Sequence, residues 1–511
     1  MGTICQIHSS NEHFVMHTMT STKKNFSIQA FRQKSDFDEA TAKKLWNTLK
    51  VAITEIYNQN ASSLSFEELY RNAYNLVLHR HSELLYGGVR DTIREQLVKS
   101  RDQICSTKND ELMQSMVRTW TFHTMAFNMM KDILMYMDKS YAITRKKPVV
   151  YTLALQLFRS VIIYDETVRE RLRTTVLQEI LRERLDHVID RSVLKAMLGM
   201  LQDLNIDGVY VYEEEFERYF LEDTVQFYRV ESLEFLSRNT CQDYVAKAEA
   251  RLREEDSRVH HYLSVSTEPK LRTSLEAELI AAHTPSLLSM ELSGFTSMLR
   301  DDKVADLSKI YALFCRVPSS LEQMRDCLGK VVKGMGQDII AQQQTHKDPV
   351  QFVKGILDLK EKFDVIIQQA FRAEKLMIKR LNGAFEAFIN EGYHCASHLA
   401  NYVDELLRGG AGIQVANELE IEDKLERVLV IFKFISDKDI FENYYRRLLS
   451  RRLLSGKTVS DELEKQMIAK LKAECGYQFT SKLEGMYLDM KISKSVQENF
   501  QSSAMYPSIG R

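Results

Sequence analysis

Apolar residues recur at intervals of three and four along most of this 511-residue chain, which is the spacing of amphipathic helices. The first such series runs from Leu45 to Ile56, and it follows Asp36 and Glu39, whose spacing is that of a helix-capping box. Only 6 prolines and 19 glycines interrupt the pattern. The sequence therefore predicts an all-α protein, because both residues are poor helix formers.

Later parts of the pattern predict further helices and one loop. Helices are predicted near residues 90–105, 110–142 and 149–170. A loop is predicted from Thr144 to Pro148. Aromatic residues at intervals near four predict a core face in Tyr212, Phe216, Phe220 and Phe227.

One segment has an unusually wide apolar arc, and it predicts a helix from about Phe66 to Tyr86. Ser65 and Glu68 have the spacing of a capping box, and Gly87-Gly88 would tolerate a positive φ at the far end. Such an arc is typical of a helix packed between two others, which periodicity favours, or of a partner-binding face. Tyrosines within it keep the second interpretation open, because buried phenols need partners and tyrosine concentrates at interfaces.

Block size suggests a repeat array. Three blocks of roughly 120 residues, each with several helices, are typical of a solenoid whose units bury their faces on their neighbours. Block size, together with the family resemblance described below, predicts a disordered tail 1–24, repeats 25–165, 166–285 and 286–405, a partial carboxy-terminal helical domain 406–495 and a tail 496–511 that diverges from the family.

Composition narrows the function classes. Lys and Arg total 69 against 71 for Asp and Glu, so no global field attracts nucleic acid or an anionic membrane. The sequence contains no run of eighteen apolar residues, so it predicts no membrane span. Seven cysteines without C-x-x-C spacing are typical of reduced thiols in a cytoplasmic or nuclear protein. Residues 1–6 are similar to a myristoylation site at Gly2, but Gln6 stands where that site has Ser or Thr, so the sequence does not favour lipidation.

Three motifs have spacings that suggest chemistry. Ser455–Thr458 is similar to the end of a phosphate-binding loop, but Arg451 stands where its first glycine is required. His394 and His398 could share one helical face, yet no glutamate completes a metalloprotease pattern. The arginine cluster 446–452 is more simply a solvated face beside Glu442 than a nucleic-acid site. We therefore expect no catalytic residue, cofactor or metal.

The segment SFEELYRNAYNLVLHRH, residues 65–81, closely resembles the early helix of cullins, the scaffolds of multisubunit ubiquitin ligases. It is most similar to the class whose adaptors carry BTB domains. The resemblance implies an adaptor-binding surface at Leu64, Phe66, Glu67, Tyr70, Tyr74, Tyr136 and Lys139. The family pattern has arginine where this chain has Lys139, which lacks the bidentate fork. A looser resemblance implies an amino-terminal arm that contacts the adaptor through Ile28 and Phe31.

Resemblance extends over the rest of the chain from about residue 26 to about residue 493. Ile440–Leu454 and Cys475–Met486 resemble the opening of the cullin carboxy-terminal domain, whereas Ser502–Arg511 matches no family pattern. The family segment that binds the RING-box protein has no match among these motifs, so the resemblance leaves binding of that subunit doubtful.

The resemblance implies a non-catalytic ligase scaffold that binds BTB-domain adaptors. One alternative is a truncated cullin that sequesters adaptors and so inhibits. Another is an unrelated α-solenoid tether for transport complexes, which would explain the composition and helicity but not the quoted motifs.

Overall fold

The computed structural model describes residues 37–346, 348–391, 394–409 and 417–502. Ile28 and Phe31 of the predicted arm lie outside these ranges, as do Asp36 and most of the two predicted tails. Within them, every regular element is a helix, as the spacing predicted. None of the helices in these ranges is both long enough and apolar enough to cross a membrane.

The first part of the described chain contains six α-helices. They are α1 (Glu39–Tyr57), α2 (Phe66–Leu78), α3 (Ser82–Ser106), α4 (Asn109–Ile133), α5 (Met135–Met137) and α6 (Val150–Phe158). A short 3-10 turn (Ala61–Ser63) precedes α2, and π-helical turns follow α5 (Asp138–Ala142) and α6 (Arg159–Ile163).

The middle part contains eight α-helices. They are α7 (Glu166–Arg184), α8 (Arg191–Asp203), α9 (Arg218–Arg238), α10 (Cys241–His261), α11 (Glu268–Leu279), α12 (Thr284–Ser289), α13 (Phe295–Arg300) and α14 (Val304–Phe314). A π-helical turn (Glu213–Glu217) leads into α9, and 3-10 turns (Val265–Thr267, Ala281–His283) flank α11.

The last part begins with the longest helix of the described chain. Its elements are α15 (Pro318–His346), α16 (Pro349–Gln369), α17 (Lys375–Glu391), α18 (Cys395–Arg408), α19 (Glu418–Phe434), α20 (Lys438–Ser455), α21 (Asp461–Cys475) and α22 (Tyr477–Gln501).

The described residues fall into two compact units. One contains residues 37–100 with 121–161, and the other contains residues 101–120 with those from 162 onward. Each unit has its own core of aliphatic and aromatic side chains. The repeat boundaries expected from the sequence stay predictions.

The first helix begins two residues later than its predicted capping box. Asp38, not Asp36, is the N-cap, and its carboxylate accepts the backbone N–H of Thr41 at 2.8 Å. Glu39 is therefore the first helical residue, where its negative charge still favours the positive end of the helix dipole.

The prediction of a single helix from Phe66 to Tyr86 is wrong, because the chain turns after Leu78. Arg80 adopts a left-handed φ of 67°, and the His81 N–H donates to Leu76 O at 2.9 Å to close the turn. Phe37 stacks on the His79 ring at 4.1 Å and lies 5.6 Å from His81. This packing involves a residue distant in sequence, so the helical periodicity could not reveal it.

Two other predicted helices are also divided. The one expected over 110–142 ends at Ile133, and the chain continues as α5 and a π-helical turn. The one expected over 149–170 stops before Asp165, which starts α7 by accepting the N–H of Val168 at 3.2 Å. A side-chain acceptor at this position satisfies a backbone donor that would otherwise lie free at a helix start.

The aromatic core face of the middle region is confirmed with one change. Tyr212, Phe216 and Phe220 are buried, but the next fully buried ring belongs to Tyr228, and Phe227 is half-buried. A strict interval of four from Phe220 reaches the buried Thr224 and then Tyr228. The spacing therefore predicted the buried face correctly, but it assigned Phe227 to that face where the buried residue is Tyr228.

Gly88 lies inside α3 and does not cap a helix. A Cβ at Gly88 would stand 2.3 Å from the indole carbon Cζ2 of Trp46, whereas one at Gly87 would meet nothing within 4 Å. We expect Gly88→Ala to lower the free energy of unfolding by about 1–3 kcal/mol through overpacking. Gly87→Ala is the matched control, and it should be neutral or stabilising because alanine favours helix by about 1 kcal/mol. Thermal unfolding of the two variants side by side tests the difference; equal melting points would contradict it.

His123 gives the first unit a sensitivity to acid. The buried ring donates its Nε2–H to Ala154 O (3.1 Å), so Nδ1 of the neutral ring accepts the Tyr57 hydroxyl (2.9 Å). Burial lowers the pKa of His123 to about 4, although the bond to Ala154 O opposes this shift. The unfolded ring has a pKa of about 6.5, so the full stability is present above that pH and is lost as the pH falls toward 4.

We expect the wild-type chain to lose stability between about pH 7 and about pH 5, and His123→Gln to lose less over that interval. The amide can keep one of the two hydrogen bonds but cannot be protonated in this range. Denaturant unfolding at the two pH values measures how the free energy of unfolding changes with pH in each protein. Identical pH slopes for the two proteins would show that His123 is not responsible.

Candidate functional site

The helix α2 starts where the sequence predicts it. Ser65 is its N-cap, and the Ser65 hydroxyl oxygen accepts the Glu68 N–H at 3.4 Å. Glu67 and Glu68 occupy the first turn, and Glu67 forms an exposed ion pair with Arg71 at 2.9 Å. An exposed pair at this spacing contributes only about 0.3–0.5 kcal/mol, so Glu67 stays available to other partners.

The two sides of α2 have different environments. Leu69, Ala73 and Leu76 are buried, and α2 packs against α1 and α5. This agrees with the interpretation that periodicity favoured, but the aromatic residues are not in the core. Phe66 is 54% exposed, and Tyr70 and Tyr74 are half-buried. The apolar arc thus serves both packing and an accessible surface.

A second helix contributes the rest of the predicted surface. The rings of Tyr74 and Tyr136 lie 4.5 Å apart with an interplanar angle of 46°. Lys139 follows in the π-helical turn and is exposed. Leu64, just before α2, is half-buried. We call this set the aromatic surface: Leu64, Phe66, Glu67, Tyr70, Tyr74, Tyr136 and Lys139.

Buried polar contacts position the turn that carries Lys139. The Asp138 carboxylate accepts the Val150 N–H, with oxygen distances of 3.0 and 3.2 Å. Burial raises the pKa of the Asp138 carboxyl, and the bond from Val150 opposes the shift. The Ser140 hydroxyl donates to Tyr136 O at 2.5 Å. These bonds tie the second half of the aromatic surface to the start of α6.

An open groove of about 890 Å³ adjoins the aromatic surface, with which it shares Tyr136. Leu78, Arg80 and Tyr141 also line this groove. On one side, the Lys147 ammonium lies 5.1 Å from both the Tyr86 and Tyr141 ring centres and pairs with Glu83 at 2.9 Å. The sequence analysis missed the groove because it assigned Leu78 and Arg80 to a continuous helix.

The histidine pair on α18 does not have the surroundings of a metal site. His394 and His398 have ring centres 5.9 Å apart, and the His398 ring meets Phe352 edge-on at 5.4 Å. Burial lowers the pKa of His398, and His394 lowers it further. Within the ranges that the structure describes, no group of three potential ligands surrounds a common point.

The arginine cluster is not wholly solvated, contrary to the sequence interpretation. Arg446 pairs with Glu442 at 3.0 Å, and Arg447 and Arg451 are exposed. Arg452, however, is fully buried among carboxylates. The segment Ser455–Thr458, for which the sequence did not favour a phosphate-binding loop, lies at the end of α20, where Gly456 has a φ of 60°. Helical spacing alone could not identify which arginine faces the core.

The all-α architecture of the described residues is that of a helical solenoid, and its aromatic surface is partly accessible to solvent. Residues 46–497 match the cullin α-solenoid domain. The chain is 42% identical over 481 residues to Cullin-3A of Arabidopsis thaliana, covering 94% of this chain and 65% of that protein.

Similar agreement is found with relatives from other kingdoms. Identity is 39% over 479 residues to Cullin-3 of Dictyostelium discoideum, covering 94% of this chain and 62% of that protein. Identity to Cullin-3 of Caenorhabditis elegans is 35% over 474 residues, which cover 91% of this chain and 61% of that protein. The chain therefore spans less than two thirds of the length of these relatives.

The chain belongs to the cullin family, and within it the chain is cullin-3-like. The predicted α-solenoid class is confirmed. An unrelated transport tether, one of the alternatives left open by the sequence, is excluded by this membership.

Proposed function

We propose that this chain is a non-catalytic scaffold of a cullin-based ubiquitin ligase and that it binds BTB-domain adaptors through the aromatic surface. The observation that carries the proposal is the accessible aromatic cluster shared by two helices. Phe66 stands exposed on α2, and the Tyr74 and Tyr136 rings join α2 to α5 at 4.5 Å. An unshielded phenylalanine beside partly buried tyrosines has the composition of an interface anchor.

Rigidity of this cluster supports the same role. The buried side of α2 is packed, the Ser65 cap defines its start, and Asp138 holds the turn after α5. A preorganised surface loses less conformational entropy on binding than a mobile one. The surface is therefore suited to a partner that docks as a folded domain.

Charge at the edge of the cluster would orient the partner. Glu67 and Lys139 of the set are both exposed, one acidic and one basic. Exposed charges contribute more to the rate and orientation of association than to affinity. Lysine at position 139 would supply a single point charge and no bidentate pairing.

The experiment is reconstitution with purified partners. The immobilised chain is incubated with a BTB-domain adaptor and, separately, with the RING-box subunit, and retained protein is quantified by titration. Saturable adaptor binding supports the scaffold function, and its absence contradicts it. Binding of adaptor without RING-box would favour a sequestering, inhibitory form, whereas binding of both would favour an active ligase scaffold.

A further inference from the structure

A groove between α15 and α17, far along the sequence from the aromatic surface, has the features of a second docking site. The groove has a volume of about 750 Å³. Gly329 of α15 and Gly383 of α17 line it, and a Cβ at either position would meet nothing within 4 Å. The helices pack closely, yet these two glycines leave the space over them open.

Unpaired positive charge lines the groove from both helices. Lys330 on α15 and Lys379 on α17 are exposed, and neither has an ion-pair partner among the described residues. The neighbouring Arg380 is already paired with Glu322 at 2.9 Å and Asp326 at 2.8 Å. The acidic residues of the groove are therefore engaged, while two lysines remain free to attract an anionic group.

The buried guanidinium of Arg325 pairs with carboxylates at one wall of the groove. Arg325 lines the groove and is only 9% exposed. Its two terminal nitrogens donate to Glu322 and Glu374, but its Nε has no hydrogen-bond partner among the described residues. The Nε atom is itself shielded from the groove, and the Glu322 and Glu374 carboxylates are paired with Arg325, so they do not cancel the charge of Lys330 and Lys379.

The apolar part of the lining narrows the class of ligand. Leu376 is 49% exposed on α17 and forms part of the wall beside Ala384. Aromatic side chains are absent from the lining residues, so no stacking platform for nucleic-acid bases is present in this groove.

We propose that this groove binds an acidic peptide segment of a partner protein, with a large apolar side chain seated over Gly329 and Gly383. Carboxylates of the segment meet Lys330 and Lys379, and the apolar side chain packs against Leu376. The site is separate from the proposed adaptor-binding function and does not depend on it.

Fluorescence polarisation of the full chain tests the proposal. The probe is a short labelled peptide of glutamate and leucine residues in a helical pattern. Comparison probes replace every glutamate with lysine, replace every leucine with serine, or substitute a single-stranded RNA oligonucleotide. We expect saturable binding of the glutamate–leucine peptide, and binding at least about tenfold weaker for each comparison probe.

Two variants with matched controls locate the binding. Lys330→Glu with Lys379→Glu should weaken it about tenfold or more, whereas Lys195→Glu with Lys354→Glu, which changes the net charge equally at exposed sites elsewhere, should not. Gly383→Leu should fill the groove and block the peptide without loss of thermal stability, because leucine favours helix. Gly199→Leu, at another open helical glycine, is its control.

Several results would overturn the proposal. If the lysine peptide bound as tightly as the glutamate–leucine peptide, the groove would not select acidic residues. If the serine peptide bound as tightly, no apolar side chain would be needed for binding. Tighter binding of the RNA would assign the groove to a different class of ligand. Unchanged peptide affinity in Gly383→Leu, or an equal loss in the two charge-reversal proteins, would place the contact elsewhere.

Discussion

Replacing Phe66 and Tyr70 together with alanine is expected to weaken the binding of a BTB-domain adaptor by about a hundredfold or more. Phe66 presents its ring to solvent, and Tyr70 follows one turn later on the same side of α2. Aromatic anchors of this kind commonly cost about 2 kcal/mol or more each when truncated, although such values are not additive. Because neither side chain belongs to the buried side of α2, the fold should survive the change.

Titration calorimetry with a purified adaptor domain measures the effect. Phe122→Ala is the matched control, since Phe122 is also an exposed aromatic residue but lies on α4, about three helical turns before its end. The control should bind like the wild type, and circular dichroism should show equal helicity for all three proteins. An affinity within about threefold of the wild type in the double variant would assign the adaptor to another face.

Arg452→Ala is expected to destabilise the region from α18 to α21 by about 3–5 kcal/mol. The Arg452 guanidinium makes a two-pronged contact with Glu464, at 2.7 and 3.0 Å, and a third bond to Asp404 at 2.5 Å. Arg452 and Glu464 are fully buried, and Asp404 is nearly so. Removing the cation leaves Glu464 without its counter-charge in a medium that solvates it poorly, and leaves Asp404 with only its pair to Arg408.

Arg451→Ala is the control for that experiment, because Arg451 is the preceding residue and is exposed. Hydrogen exchange followed by mass spectrometry should show faster exchange in α18, α20 and α21 for Arg452→Ala and no change for Arg451→Ala. Adding Glu464→Gln to Arg452→Ala should recover part of the loss, since one stranded charge is removed. Equal exchange in the two single variants would show that the buried cation is not needed for stability.

Much of the architecture was predictable because it depends on local properties. Intervals of three and four, few prolines and Ser65 before α2 predict helices, and the structure has them. The residue wording around Phe66 indicated the cullin family, which the match over residues 46–497 confirms. Helical spacing depends on neighbours in the chain, so a single sequence contains it.

Helix ends and solvent exposure depended on contacts between residues distant in sequence. The chain turns at Arg80 with Phe37 packed on His79, and Gly88 sits under Trp46 where the sequence suggested a helix cap. Arg452 and Arg451 are adjacent in sequence, but only Arg452 meets buried carboxylates. Periodicity assigns a residue to a face of its helix, and the face acquires an environment only when other helices pack against it. The tertiary structure alone therefore decided which aromatic residues of α2 remain accessible to a partner.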